Sequence, residues 1–235
     1  MGRPGFRVIA LLSAVAFLGL LASPAADAAT RVPVVFVHGY RGEPSNWATA
    51  IAQFEDAGYR QDDLYAFEYD WAQSNEVSAQ ELAAFVQRVS ARTGHAQVDI
   101  VNHSMGGLVT RWYLSRLHGA AHVRHVASLA GANHGTSAAL ACDLDLSCRE
   151  MMPGSPFLVR LAASGPEAPG PTRYATWYSP CDRAIVPYTS TELPKAANHV
   201  LACETHNAYL TDPEVLREVR GFLASPVSPV RGAGR

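Results

Sequence analysis

The sequence has no surplus of charge of either sign: its 235 residues carry 19 Lys and Arg against 21 Asp and Glu, a formal net charge of −2. Without a basic excess there is nothing to concentrate a phosphate backbone or an anionic membrane surface, so no nucleic-acid partner is expected. Beyond the N-terminal stretch there is no second long apolar run, and neither an internal repeat nor a low-complexity tract occurs. What remains is the expectation of one domain with a sizeable core. A Cys-x-x-Cys spacing is also missing. That argues against a zinc site, and no metal or other cofactor is expected.

What is present begins with a basic segment, Met1-Gly-Arg-Pro-Gly-Phe-Arg7. An uncharged apolar stretch over 8–21 follows, and then the small residues of Ala26-Asp27-Ala28. This order is that of a secretory signal peptide. As a membrane anchor the stretch falls short of the roughly 20 residues a spanning helix needs. Residues 1–28 are therefore expected to be a leader cleaved after Ala28, and the protein to be secreted and extracellular. Residues 226–235 read as a frayed, disordered tail. The even number of cysteines fits export and two disulfides. Of the three connectivities, the local one is favoured: Cys142 with Cys148, and Cys181 with Cys203.

Between these ends, strand-like and helix-like segments alternate. Val34-Val-Phe-Val37 suits a strand buried on both faces. A helix is expected over 45–57, a strand over 64–68, a helix over 78–93, a strand over 98–101, a helix over 105–117 and a strand over 123–129. This rhythm implies an α/β fold, a mostly parallel central sheet flanked by helices in a single domain over 29–225. It breaks at 131–171, a segment rich in Gly, Pro, Ser and Ala. A connection of that length reads as a flap-like insertion beside a site. Strands are expected again over 173–178 and 198–202. A last helix opens at Asp212-Pro213-Glu214, with Asp212 as N-cap and Pro213 as first helical residue.

Asn102-His-Ser104-Met-Gly106-Gly107 lies between the 98–101 strand and the helix after it. A strand that turns sharply into a helix strains its apical residue, and the residues two positions to either side must be small. Gly106 and Gly107 meet that demand; Asn102 stands where glycine is usual. Ser104 would then project its hydroxyl at a helix N-terminus, which favours developing negative charge. An N-capping serine is the plainer alternative, and the buried strand ahead of Ser104 favours a nucleophile. Acyl transfer also needs donors to an oxyanion, expected from the backbone N–H of Met105 and of Tyr40 in His38-Gly39-Tyr40. Gly39 allows a close approach there. His38 precedes Ser104 and reads as loop support.

In this kind of site the order along the chain is Ser, acid, His. Asp182 follows the 173–178 strand and is the expected acid; Asp143 and Asp145 lie in the Cys142–Cys148 loop, which reads as too mobile to orient an imidazole. His206 follows the last strand and is the expected base. Of its rivals, His118, His122 and His125 surround a helix-to-strand connection. His134 precedes the acid, and His199 starts the last strand. A Cys181–Cys203 bridge would fix the distance between acid and base.

Val34-Val-Phe-Val-His-Gly39, Val98-Asp-Ile-Val-Asn-His-Ser-Met-Gly-Gly107 and Gly131-Ala-Asn-His-Gly-Thr136 together resemble the small bacterial triacylglycerol lipases of the class 2 family. Cys148-Arg-Glu-Met, Pro153-Gly-Ser-Pro-Phe-Leu158 and Ser179-Pro-Cys-Asp182 are similar to its secreted actinobacterial branch. The resemblance implies an α/β-hydrolase fold and a serine ester hydrolase. It places the triad on Ser104, Asp182 and His206, the oxyanion donors on Tyr40 and Met105, and needs no metal for catalysis. Lipid or other ester small molecules are the implied substrates, met in part at a lipid–water interface by a monomer. The chain departs from the smallest members in its longer, disulfide-bearing segment after Thr136. A carboxylesterase for short soluble esters, a polyester depolymerase, an acyltransferase and a catalytically silent binding protein are the other readings.

Overall fold

Four consecutive apolar side chains with no exposed surface make up Val34–Val37, the first strand, β1. The computed structural model describes residues 1–2, 31–142 and 144–226, so the expected leader and tail, and Asp143, lie outside the described residues save for their outermost members. The description below concerns the unit that begins at Arg31. Its other strands are β2 (Leu64–Phe67), β3 (Val98–His103), β4 (Val123–Leu129), β5 (Arg173–Tyr178) and β6 (Ala197–Val200). Its helices are α1 (Ala48–Asp56), α2 (Asn75–Thr93), α3 (Gly106–Arg116), α4 (Leu146–Met151), α5 (Pro156–Ala162) and α6 (Pro213–Leu223).

The strands form one six-stranded sheet in the order β2-β1-β3-β4-β5-β6, and every neighbouring pair is parallel. Helix α1 packs with α6, while α2 and α5 both pack with α3. Two separate groups of helices are what a parallel sheet, apolar on both faces, needs to be covered. The fold is that of an α/β-hydrolase, as the sequence implied. No helix among the described residues is long and apolar enough to cross a membrane.

The strand order also says where a site should be. From β1 the chain runs outward to β2 and then returns to the other side of β1 as β3. The loops leaving β1 and β3 therefore part in opposite directions and open a crevice at the C-terminal ends of the strands. His38-Gly39-Tyr40 leaves β1 there, and Ser104 leaves β3. The core beside β1 is firmly packed. Phe36 packs against Trp47 at 5.2 Å and Phe54 at 5.4 Å between ring centroids, and all three are fully buried. Truncating one such aromatic to alanine costs about 3–5 kcal/mol.

Several boundaries differ from those expected. Helix α2 begins at Asn75 rather than 78, because Ser74 caps it by accepting the Glu76 N–H at 3.2 Å. Strand β3 runs two residues further, to His103, in register with Leu129 of β4. Strand β6 lies earlier, its pairing with β5 ending at Val200 opposite Tyr178. The segment 131–171 is less irregular than its composition suggests: it holds a 3-10 turn (Ser137–Ala141), α4 and α5. The start of α5 has a local cause, with Ser155 accepting the Leu158 N–H at 3.2 Å and Pro156 opening the helix. Asp212 caps α6 as expected, accepting the N–H groups of Glu214 and Val215 at 2.8 Å each.

Candidate active site

Ser104 sits at the turn from β3 into α3 with a φ of +55°, left-handed backbone that residues other than glycine rarely adopt. The turn is fixed from both sides. The Ser104 N–H donates to the Leu129 carbonyl at 3.1 Å, and its own carbonyl accepts from Ala132 at 2.9 Å and Gly107 at 3.0 Å. Small neighbours are a steric requirement here. A Cβ on Gly106 would lie 2.6 Å from the carbonyl oxygens of Val37 and His38, and one on Gly39 would lie 2.6 Å from the Ser104 Cβ. Asn102, where glycine is usual, is accommodated because its side chain has a place in the sheet: buried, it accepts the Ser128 hydroxyl of β4 at 2.8 Å.

The turn brings together the three side chains that lie far apart in sequence. His206 Nε2 is 2.8 Å from Ser104 Oγ, and His206 Nδ1 is 2.8 Å from Asp182 Oδ2. A carboxylate can only accept, so Nδ1 carries the proton, and Nε2 is left to accept from the serine hydroxyl. Asp182 is buried, and its other oxygen accepts the N–H groups of Ala184 at 2.8 Å and Ile185 at 3.0 Å. Burial works to raise the Asp182 carboxyl. The hydrogen bond and charge of His206 and the two N–H donors outweigh it, and hold the carboxyl below its ordinary range.

The loops carrying Asp182 and His206 are joined. Cys181 and Cys203 form a disulfide with a Cα separation of 5.0 Å. Ser179 Oγ accepts the N–H of Cys181 at 3.1 Å and of Glu204 at 2.7 Å. Cys142 and Cys148 form the second disulfide, with a Cα separation of 5.8 Å. Both local pairings match the expectation. Asp145, within the second loop, is better anchored than the sequence suggested: its carboxylate accepts the Tyr40 phenol. The rival histidines are elsewhere. His125 is buried against Asp99 at 3.1 Å, His199 stacks on Trp177, and His134 bridges the Ser190 carbonyl and the Glu167 carboxylate. His118 and His122 are exposed. His38 stacks on Tyr69 at 4.1 Å and its carbonyl accepts the Tyr69 hydroxyl at 2.6 Å.

One residue of the site escaped the sequence reading. His103, immediately before Ser104, is buried, and its Nε2 lies 2.7 Å from the main-chain carbonyl of His206. Burial, reinforced by the neighbouring His206, pushes its imidazole down to about 3. The signal available was an imidazole beside the expected nucleophile; its partner, a backbone carbonyl, leaves no mark in sequence.

Two cavities flank Ser104. One, of about 450 Å³, is bordered by polar groups from Arg41, Asn46, Asn207 and Thr211. The other, of about 290 Å³, is bordered by Ala138, Ala139, Met151 and Ile185. Gly39 and Tyr40 wall the first and Tyr40 the second, so the loop after β1 borders both cavities beside Ser104. Among the described residues, no group of three or more His, Cys, Asp or Glu could hold a metal ion.

Comparisons with known proteins agree with this architecture. A triacylglycerol lipase of Burkholderia plantarii is 32% identical over 115 residues, covering 43% of this chain and 31% of that protein. One of Pseudarthrobacter phenanthrenivorans is 31% identical over 94 residues, covering 36% of this chain and 28% of that protein. The matched region thus spans about a third of the length of these curated relatives. The crystal structure of Bacillus licheniformis lipase BlEst2 in mature form superposes with a TM-score of 0.70 at 19% identity, over 86% of this chain and 96% of that one. The family profile described as Lipase (class 2) matches residues 31–200, a span that contains Ser104 and Asp182 and stops short of His206. With that match over most of its length, the chain belongs to the class 2 lipase family.

Proposed function

We propose that this protein is a secreted hydrolase of carboxylic esters of lipids, triacylglycerols among them, acting through an acyl-enzyme on Ser104. The observation that carries the reading is the pair of 2.8 Å hydrogen bonds running from Ser104 through His206 to buried Asp182. His206 takes the proton as Ser104 Oγ attacks the ester carbonyl, and Asp182 holds the imidazolium that forms. The N–H groups of Tyr40 and Met105 stabilise the oxyanion. His206 then protonates the departing alcohol, and water repeats the sequence on the acyl-enzyme. Loss of one oxyanion donor is expected to cost roughly 10²–10³ in turnover. Export is supported by the leader-like N-terminus and by the two disulfides, which suit an oxidising compartment. The segment 131–171 acts as a flap at the mouth of the site, and the protein works as a monomer.

A second reading, preference for short acyl chains, is favoured by the size of the apolar cavity. Its volume of about 290 Å³ is at the lower end of the ~300–1,000 Å³ usual for ligand pockets. Hydrolysis of an ester series of rising acyl length and of an emulsified triglyceride, run beside Ser104→Ala, tests both. Turnover of the emulsion supports the lipid reading, and turnover confined to short soluble esters supports the second. Absence of any ester hydrolysis, or full activity in Ser104→Ala, contradicts both.

A further inference from the structure

We propose that His103 is a positioning residue for the base: its Nε2–H holds the main-chain carbonyl of His206, so the turn that presents the nucleophile also sets where the base meets it. The inference rests on the reading of Ser104, Asp182 and His206 given above.

A carbonyl oxygen can only accept a hydrogen bond, so at 2.7 Å the His103 Nε2 must carry the proton. The donor comes from a fixed main chain. His103 is the last residue of β3, paired with Leu129 of β4, and the next N–H, that of Ser104, donates to the Leu129 carbonyl. The segment bearing His206 is tied on the Asp182 side by the Cys181–Cys203 disulfide and by the Glu204 N–H on Ser179 Oγ at 2.7 Å. Beyond the base, Tyr209 and Leu210 are buried in the core. The bond from His103 ties the same segment to the element that carries Ser104, and does so at the main chain of the base itself. Rotation of the His206 side chain then starts from a backbone registered against the nucleophile.

The chemistry also asks that His103 stay uncharged. The two imidazole rings lie 4.6 Å apart at a tilt of 41°. When Ser104 gives up its proton, His206 becomes an imidazolium, and a second positive charge at that distance would oppose it. Burial keeps His103 in its neutral form, with the Nε2 proton in place to donate.

Three substitutions at His103 separate donor from bulk. Leucine fills similar space without a donor. Glutamine carries an amide N–H near the position of Nε2, and asparagine stops short of it. The readouts are kcat and KM on a soluble ester, and the low-field NMR resonance of the His206 Nδ1 proton shared with Asp182. His103→Leu is expected to lower kcat about 10- to 100-fold, as a displaced base does, with KM nearly unchanged and the resonance broadened or lost. His103→Gln is expected to recover most of kcat and the resonance, and His103→Asn to recover neither. Should the leucine variant not fold, the glutamine–asparagine pair decides alone. Full kcat in His103→Leu, or equal behaviour of Gln and Asn, overturns the inference. The resonance is also recorded in Ser104→Ala with and without His103→Leu, where it reports on His206 without any turnover. If Ser104→Ala remains active, the site reading fails; the effect of His103 on the resonance still stands or falls by itself.

Discussion

Two disulfide loops stand close to Ser104, and they differ in almost everything but the bond. The Cys181–Cys203 bridge lies in a hydrogen-bonded setting, one residue from Asp182 and with Ser179 Oγ gathering N–H groups from both of its strands of chain. The Cys142–Cys148 loop and the turn before it instead expose apolar side chains: Leu140 is 71% exposed, Leu144 91% and Leu146 43%. Cys142 and Ala139 nevertheless line the smaller cavity beside Ser104. The comparison suggests a division of labour that we propose: one crosslink registers reactive groups against each other, while the other carries exposed apolar side chains beside a loop that lines the smaller cavity. On that reading, chemistry depends on the first and approach of the substrate on the second.

The sharpest way to break that division is to remove chemistry at the first region. Asp182→Asn leaves the shape of the site and removes the acceptor that fixes the His206 tautomer, and is expected to lower kcat by roughly 10³–10⁴. Its stability carries a pH signature. The Asp182 carboxyl is held below its ordinary value in the folded state, so its contribution is present above the unfolded value and is lost as pH falls through the folded one. The stability gap between wild type and Asp182→Asn, followed by denaturant unfolding, should therefore be widest near neutrality and shrink in acid. A constant gap would contradict the assignment. Next in size is the loss of registration. Cys181→Ser with Cys203→Ser, or mild reduction verified by thiol titration of folded protein, should lower kcat about 10- to 100-fold on a soluble ester. An unchanged rate would end the claim that this bridge sets the acid–base distance.

At the second region the expected effects are smaller and depend on the substrate. Replacing Leu140, Leu144 and Leu146 by serine should lower hydrolysis of an emulsified triglyceride about tenfold, through lost apolar contact with the lipid surface. Turnover of a soluble short-chain ester should stay the same. Equal loss on both substrates would place these side chains in the chemistry and erase the contrast. The smallest effect concerns the turn at the serine. Because Ser104 holds a φ of +55°, Ser104→Gly should be more stable than Ser104→Ala by roughly 1–2 kcal/mol, read from thermal or denaturant unfolding.

The same contrast separates what could be read in the sequence from what could not. Strands β1 and β3 and the small residues after Ser104 announce themselves because their causes are local: unbroken apolar runs, and glycines where a Cβ would strike Val37, His38 or Ser104. Asp182 and His206 could be selected because each follows a late strand in the right order. The helices inside 131–171 are short and hard to read from the sequence, although Ser155-Pro156 carries a start signal. The Tyr40–Asp145 contact joins residues 105 apart, and the His103–His206 contact uses a main-chain acceptor 103 residues away. No window of sequence displays either one. The ends of helix α2 and strand β6 are set by a cap at Ser74 and by pairing with β5, which a periodicity reading does not display.

The central claim, that Ser104 is the nucleophile, is most directly tested by labelling the protein with an alkyl phosphonate ester and locating the adduct by peptide mass spectrometry. One phosphonyl group on Ser104, formed as activity is lost and absent from Ser104→Ala, is the result the account predicts. An adduct on another residue, or complete inactivation with Ser104 unmodified, would contradict it.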